Sequence, residues 1–124
     1  MYQGKTKKIL SKLGFLTKEF DFKFQFQSFD MYHNFYGPMD TYSFYNDFGC
    51  LTLHNAVQRG EWGVYVAHNF SENQYSLMER EVYLSDYINK RYWTFGGWLK
   101  AVSQLIRKQA LEEKNIFGLP IQKG

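Results

Sequence analysis

The sequence predicts an α+β fold: an antiparallel meander sheet of four or five strands, with a short N-terminal helix and C-terminal helices packed on one face. Three patterns predict it. Phe20, Phe22, Phe24 and Phe26 alternate with Glu19, Asp21, Lys23, Gln25 and Gln27, the period of two that sends successive side chains to opposite sides of a sheet. Two further alternating stretches, Cys50 to Val57 and Trp62 to His68, flank the turn-forming Gln58-Arg59-Gly60-Glu61, as a hairpin requires. From Trp98 to Lys114 the period becomes helical, with Trp98, Ala101, Val102, Leu105, Ile106 and Gln109 along one side.

In chain order, Ile9, Leu10 and Leu13 recur among lysines from Thr6 to Leu13, which predicts an amphipathic helix with Gly14 as its C-cap. The aromatic strand is expected from Leu16 to Phe29, with all four phenylalanines buried on one face. Asn34, Gly37, Pro38 and Asp40 then mark an aromatic-rich loop. Thr41 to Tyr45 resumes strand alternation, and Asn46-Asp47-Phe48-Gly49 supplies the turn into Cys50 to Val57. Leu51, Leu53 and Val57 share the core face with Trp62, Val64 and Val66. Cys50, Thr52, His54, Tyr65 and Ala67 fall on the other face. Met78 to Leu84 is read as a strand, with a helical turn as the alternative, and Ser85 as the N-cap of a helix from Asp86 to Trp93. Thr94-Phe95-Gly96-Gly97 is expected to break that helix before Trp98. The C-terminal apolar residues Phe117, Leu119, Pro120 and Ile121 are expected to pack back on the core.

At 124 residues the chain suits a single domain, large enough to bury about two-thirds of the surface its unfolded form exposes. Its unbroken apolar runs fall far short of a bilayer span, and no continuous apolar segment follows the first lysines as a secretory leader would require. A single cysteine, Cys50, cannot form an internal disulfide, which suits a reducing cytoplasm. Charge is unevenly distributed. Lys5, Lys7, Lys8, Lys12 and Lys18 precede the first acid, whereas between residues 19 and 58 only Lys23 offsets Glu19, Asp21, Asp30, Asp40 and Asp47. A basic first helix fits nucleic acid or an acidic protein, but a solvated helix face is the more economical reading.

Chemistry-bearing constellations are few. Cys50 and His54 share a predicted strand face, with His68 on the partner strand, but no oxyanion motif or thiol-activating helix end accompanies them. A small half-buried thiol explains Cys50 as well. His33, His54 and His68 show no metal-ligand spacing, the carboxylates are scattered, and the glycines form no phosphate-binding loop. Neither catalysis nor a cofactor is expected. Arg59 to Val66 has some of the spacing of an RNA-recognition strand, but Glu61 stands where an aromatic belongs and Val66 replaces the last one. A small nucleic-acid-binding domain, built on the basic helix and exposed aromatics, is therefore the second reading.

The first reading is a protein-binding surface. The polar sheet face carries Lys23, Gln25, Tyr45, Thr52, His54 and Tyr65, beside the turn bearing Arg59 and Glu61. Tyrosine and arginine among polar groups are favoured contact residues because they combine large rigid area with directional hydrogen bonds. In layout the chain also resembles the small immunity proteins of bacterial polymorphic-toxin and contact-dependent inhibition systems. The resemblance rests on a first helix, a Gly14-Phe15 step, strands including SFYNDFGCLTLH and WGVYVAHNF, and closing helices. It implies a cytoplasmic, non-enzymatic inhibitor that binds a cognate toxin domain directly. Partners of basic nuclease toxins tend to be acidic, so with its net charge of +3 this chain would meet an acidic toxin or use its acidic middle.

Overall fold

The computed structural model describes residues 4–29, 38–56, 61–68, 82–83 and 94–121. Helix α1 (Gly4–Leu13) buries Thr6, Ile9 and Leu13 along one stripe and turns Lys7, Lys8 and Lys12 to solvent. Gly14 is not the left-handed cap that the sequence suggests. Its φ of −61° and ψ of −18° are right-handed. Its N–H donates to the Leu10 carbonyl at 2.8 Å, and its own carbonyl accepts from the N–H groups of Thr17 and Lys18 at 3.0 and 3.2 Å. Helical bonding therefore runs on into a short second helix, α2 (Phe15–Glu19). Glycine is needed here for close approach, since a Cβ would lie 2.3 Å from the Leu10 oxygen.

That helix takes the first part of the expected aromatic strand. Strand β1 (Lys23–Phe29) begins only after Asp21, whose φ of 60° turns the chain between two buried rings. Aspartate tolerates this conformation better than most residues. Phe20 packs edge-on against Phe15 at 6.3 Å, and the Leu16 carbonyl accepts the N–H groups of both Phe20 and Phe22. The alternation of Phe20 and Phe22 is thus a tight turn that buries both rings. Of the two rings of that series that lie within the strand, Phe24 is half-buried and Phe26 is 44% exposed, so the four rings do not form one buried row.

The rest of the sheet follows the expected meander. Strands β2 (Met39–Asn46), β3 (Gly49–Ala56), β4 (Glu61–His68) and the two-residue β5 (Val82–Tyr83) add to β1 in the order β1-β2-β3-β4-β5, each pair antiparallel. Asn46 closes the β2–β3 turn, its Oδ1 accepting from the N–H groups of Phe48 and Gly49 at 2.8 and 3.1 Å. The registers Phe24↔Phe44↔Leu51↔Val66 and Phe26↔Tyr42↔Leu53↔Val64 define the core face. Within the stretch expected as a strand from Met78 to Leu84, Val82 and Tyr83 are strand and the remaining positions lie outside the described residues. So do the aromatic loop at 30–37, the turn at 57–60 and the helix expected from Asp86 to Trp93.

Helix α3 (Phe95–Lys108) starts three residues before the expected position, and Gly96-Gly97 belongs to its first turn instead of breaking the chain. The reason is Thr94, whose extended backbone (φ −101°, ψ 152°) and Oγ1, accepting the Gly97 N–H at 3.0 Å, make it an N-cap. The buried stripe is Leu99, Val102, Ile106 and Ala110; Trp98, Ala101 and Leu105 are half-buried beside it. A π-helical turn (Gln109–Glu113) ends the helix, and Lys114 follows with a left-handed φ of 61°. Next comes a small hairpin, β6 (Asn115–Ile116) and β7 (Leu119–Pro120), whose turn residues Phe117 and Gly118 have φ of 50° and 92°. Ile116 and Leu119 are buried, and Asn46 Nδ2 donates to the Pro120 carbonyl at 3.0 Å, so the end of the chain does pack back on the core. Helices α1, α2 and α3 thus share one core with the apolar sheet face, while the opposite face carries the polar rows.

Candidate functional site

Strand pairing sorts the predicted contact residues into rows on the face opposite the core. Lys23 stands beside Tyr45, which stands beside Cys50 and then Ala67. Gln25 leads the next row, through Ser43 and Thr52 to Tyr65, and the third runs from Gln27 through Thr41 and His54 to Gly63. Lys23, Gln25 and Tyr45 are exposed, at the β1 end of these rows, and together form one corner of the face. A cavity of about 220 Å³ opens at that corner, lined by Asp21, Lys23, Tyr45, Asn46 and Asp47. Lys23 therefore has Asp21 and Asp47 as neighbours around one concavity, with the Tyr45 ring as its wall.

Sequence reasoning missed three of those lining residues. Asp21 reads as a polar strand position, and its membership depends on the left-handed backbone that lets the chain turn just before β1. Asn46 and Asp47 read as turn formers, which they are; only the pairing of Asn46 with Gly49 brings that turn beside Lys23. No periodicity in the sequence carries this juxtaposition.

The centre of the face is drier than a wet sheet surface should be. Thr52 is 2% exposed; its Oγ1 shares a hydrogen bond with Ser43 Oγ at 2.9 Å and lies 3.4 Å from Cys50 Sγ. Thr52 offers no surface to a partner and instead joins the second row from beneath. Ala67 is also buried. His54 and Tyr65 are half-buried, their rings tilted against each other with centroids 5.8 Å apart. Glu61 pairs with Ala56 at the start of β4, and Arg59 lies outside the described residues. The structure thus brings Lys23, Gln25 and Tyr45 together at one edge and His54 with Tyr65 further in.

Two arrangements bear on catalysis. His54 lies four residues along β3 from Cys50, about 13 Å at ordinary strand rise, and in the sheet Cys50 pairs with Ala67 while His68 pairs with Gly49. The thiol and the His54 imidazole are therefore not a nucleophile and base in contact. Among the described residues, no three His, Cys, Asp or Glu side chains group as metal ligands.

On the core side, aromatic rings gather at the start of α3. Trp62 stacks on Tyr42 at 5.7 Å and meets Phe95 at 4.5 Å and Trp98 at 5.6 Å, while Lys5 Nζ sits 5.5 Å over the indole. Lys5 is thereby engaged with the fold through a cation–π contact. Among the described residues, no helix is long and apolar enough to cross a membrane. Compared with protein-family models, curated proteins and solved structures, the chain matches none.

Proposed function

We propose that this chain is a non-enzymatic protein-binding module, and that its working role is that of an immunity or inhibitor protein that neutralises a cognate bacterial toxin by direct binding. The observation that supports the reading best is the exposed corner of Lys23, Gln25 and Tyr45 around the cavity shared with Asp21, Asn46 and Asp47. A rigid aromatic wall beside a lysine and two carboxylates gives a partner both area and directional charge. The corner also adjoins a sheet edge. Among the described residues β1 pairs only with β2, and Gln25, Phe26, Gln27 and Ser28 are all exposed. An edge strand of this kind offers main-chain groups to an extended segment of a partner. The wall, the charges and the edge together form one continuous contact surface, with His54 and Tyr65 behind it.

The test is a binding measurement against the product of the neighbouring upstream gene, the place where a cognate toxin would be encoded. A one-to-one complex is expected by light scattering. The double variant K23E/Y45A should bind at least about tenfold more weakly and keep its melting temperature within about 3 °C. Unchanged affinity would remove this corner from the interface. Binding to single-stranded RNA that falls steeply with salt, and is lost when Lys7, Lys8 and Lys12 are replaced, would instead support the nucleic-acid reading.

A further inference from the structure

A second concavity lies away from the polar face, where α2 meets the end of α3. It encloses about 400 Å³, within the range of small-molecule sites. Phe20, Ala110 and Ile121 give it apolar walls, and Leu111 stands with them. Leu111 is 55% exposed, an isobutyl group held in water at the cavity. Its position follows from the π-helical turn Gln109–Glu113, a geometry that is rare and is often found where a helix serves a site.

The polar part of the lining is two lysines and one glutamate: Lys18, Lys114 and Glu19. Their charges do not cancel within the cavity. The Glu19 carboxylate lies 3.9 Å from the Arg107 guanidinium, which itself sits 4.0 Å over the Phe15 ring. Arg107 thus faces Glu19 from outside the lining, whereas the side-chain ammonium groups of Lys18 and Lys114 have no hydrogen-bond or ion-pair partner among the described residues. Lys114 lines the cavity from a left-handed backbone position, a conformation that non-glycine residues seldom adopt. An apolar chamber with two uncommitted ammonium groups at its edge suits a ligand with a hydrocarbon body and an anionic head.

We propose that this cavity binds an amphipathic monoanion, an alkyl chain ending in a carboxylate, with the chain against Phe20, Ala110, Leu111 and Ile121 and the head between Lys18 and Lys114. The cavity shares no lining residue with the protein-binding corner, though the two adjoin at Phe20–Asp21 and through the Asn46–Pro120 hydrogen bond. A sugar-like ligand would find too few inward donors, and a cationic amphiphile would meet the lysines.

The probe is decanoate below its micelle concentration, titrated into the full-length protein and followed by calorimetry and by amide shifts in nitrogen-15 spectra. Decyltrimethylammonium, with the same chain and the opposite charge, is the control. Saturable decanoate binding is expected, with shifts centred on Phe20, Ala110 and Leu111, and the cationic probe should bind at least about tenfold more weakly. In the variant K18E/K114E, which changes only exposed side chains, that preference should reverse. Leu111→Asp should weaken decanoate with the fold intact, as the amide spectrum would show. The proposal is overturned if decanoate gives no saturable shift, if both probes bind alike, if K18E/K114E binds decanoate unchanged, or if the shifts centre on Trp62 and Phe95.

Discussion

The imidazole of His54 occupies the space that a side chain at Gly63 would fill. Gly63 pairs with His54 across β3 and β4, and a Cβ added there would lie 2.4 Å from Cε1 and 2.5 Å from Nε2 of the ring. The missing side chain lets His54 lie flat over the neighbouring strand and reach Tyr65. Gly63→Ala should therefore displace the ring and lower stability by about 1 kcal/mol, although alanine suits a strand no worse than glycine. The check is a double-mutant cycle by urea denaturation. In a His54→Ala background the same substitution should cost nothing, because the clash has no second party.

Asn55 presents the converse case, a polar group where the core wants an apolar one. It is 3% exposed, pairs with Trp62 across the sheet, and its Oδ1 has no hydrogen-bond partner among the described residues. An unsatisfied buried acceptor costs about 1–3 kcal/mol, whereas an apolar group of similar shape can be neutral or better. Asn55→Leu is expected to raise stability by about 1 kcal/mol, read as a higher urea midpoint with an unchanged slope. A loss of similar size would mean that leucine is too bulky beside Trp62.

These two residues also show where sequence reading stops. Alternation was enough to place Leu51, Leu53, Val64 and Val66 on the core face and Lys23, Tyr45 and Tyr65 on the other, because strand parity is a local property. Asn55, a position the sequence reading left unassigned, lies on the core face too, and a period cannot say whether a polar residue there will find a partner. The phenylalanine series misled for a related reason. Phe20 and Phe22 are spaced as in a strand, yet their neighbours bury them from a turn, with Leu16 accepting both amides. Tertiary contacts decide between conformations that share a period. The Lys23 cavity was illegible because two of its walls come from turns whose placement depends on pairing across β1, β2 and β3.

Thr94 carries the start of α3 on one hydrogen bond. Its Oγ1 takes the Gly97 N–H at 3.0 Å, and the helix it opens supplies Leu99, Val102 and Ile106 to the core. With Gly96 and Gly97 in the first turn, intrinsic helix preference there is poor and the cap matters more. Thr94→Ala should cost about 1 kcal/mol and Thr94→Ser much less. The melting temperature of the alanine variant should then fall by about 3–5 °C.

Tyr42 makes the stability depend on pH at the alkaline end. Burial, and secondarily the negative charge of Asp40, raise its pKa above the ordinary 10.0. The folded chain therefore keeps the phenolic proton at pH values where the unfolded chain has released it. Where the folded state binds more protons, stability falls as pH rises. The contribution of Tyr42 is fully present below pH 10 and is lost as pH climbs from there through the raised folded value. Tyr42→Phe removes the titrating group and keeps a ring against Phe26 and Trp62. Its unfolding free energy should track the parent's up to about pH 9 and decline less steeply above pH 10, measured by urea denaturation at stepped pH. Parallel curves for the two proteins across that range would show that the tyrosinate is accommodated in the fold as readily as in water.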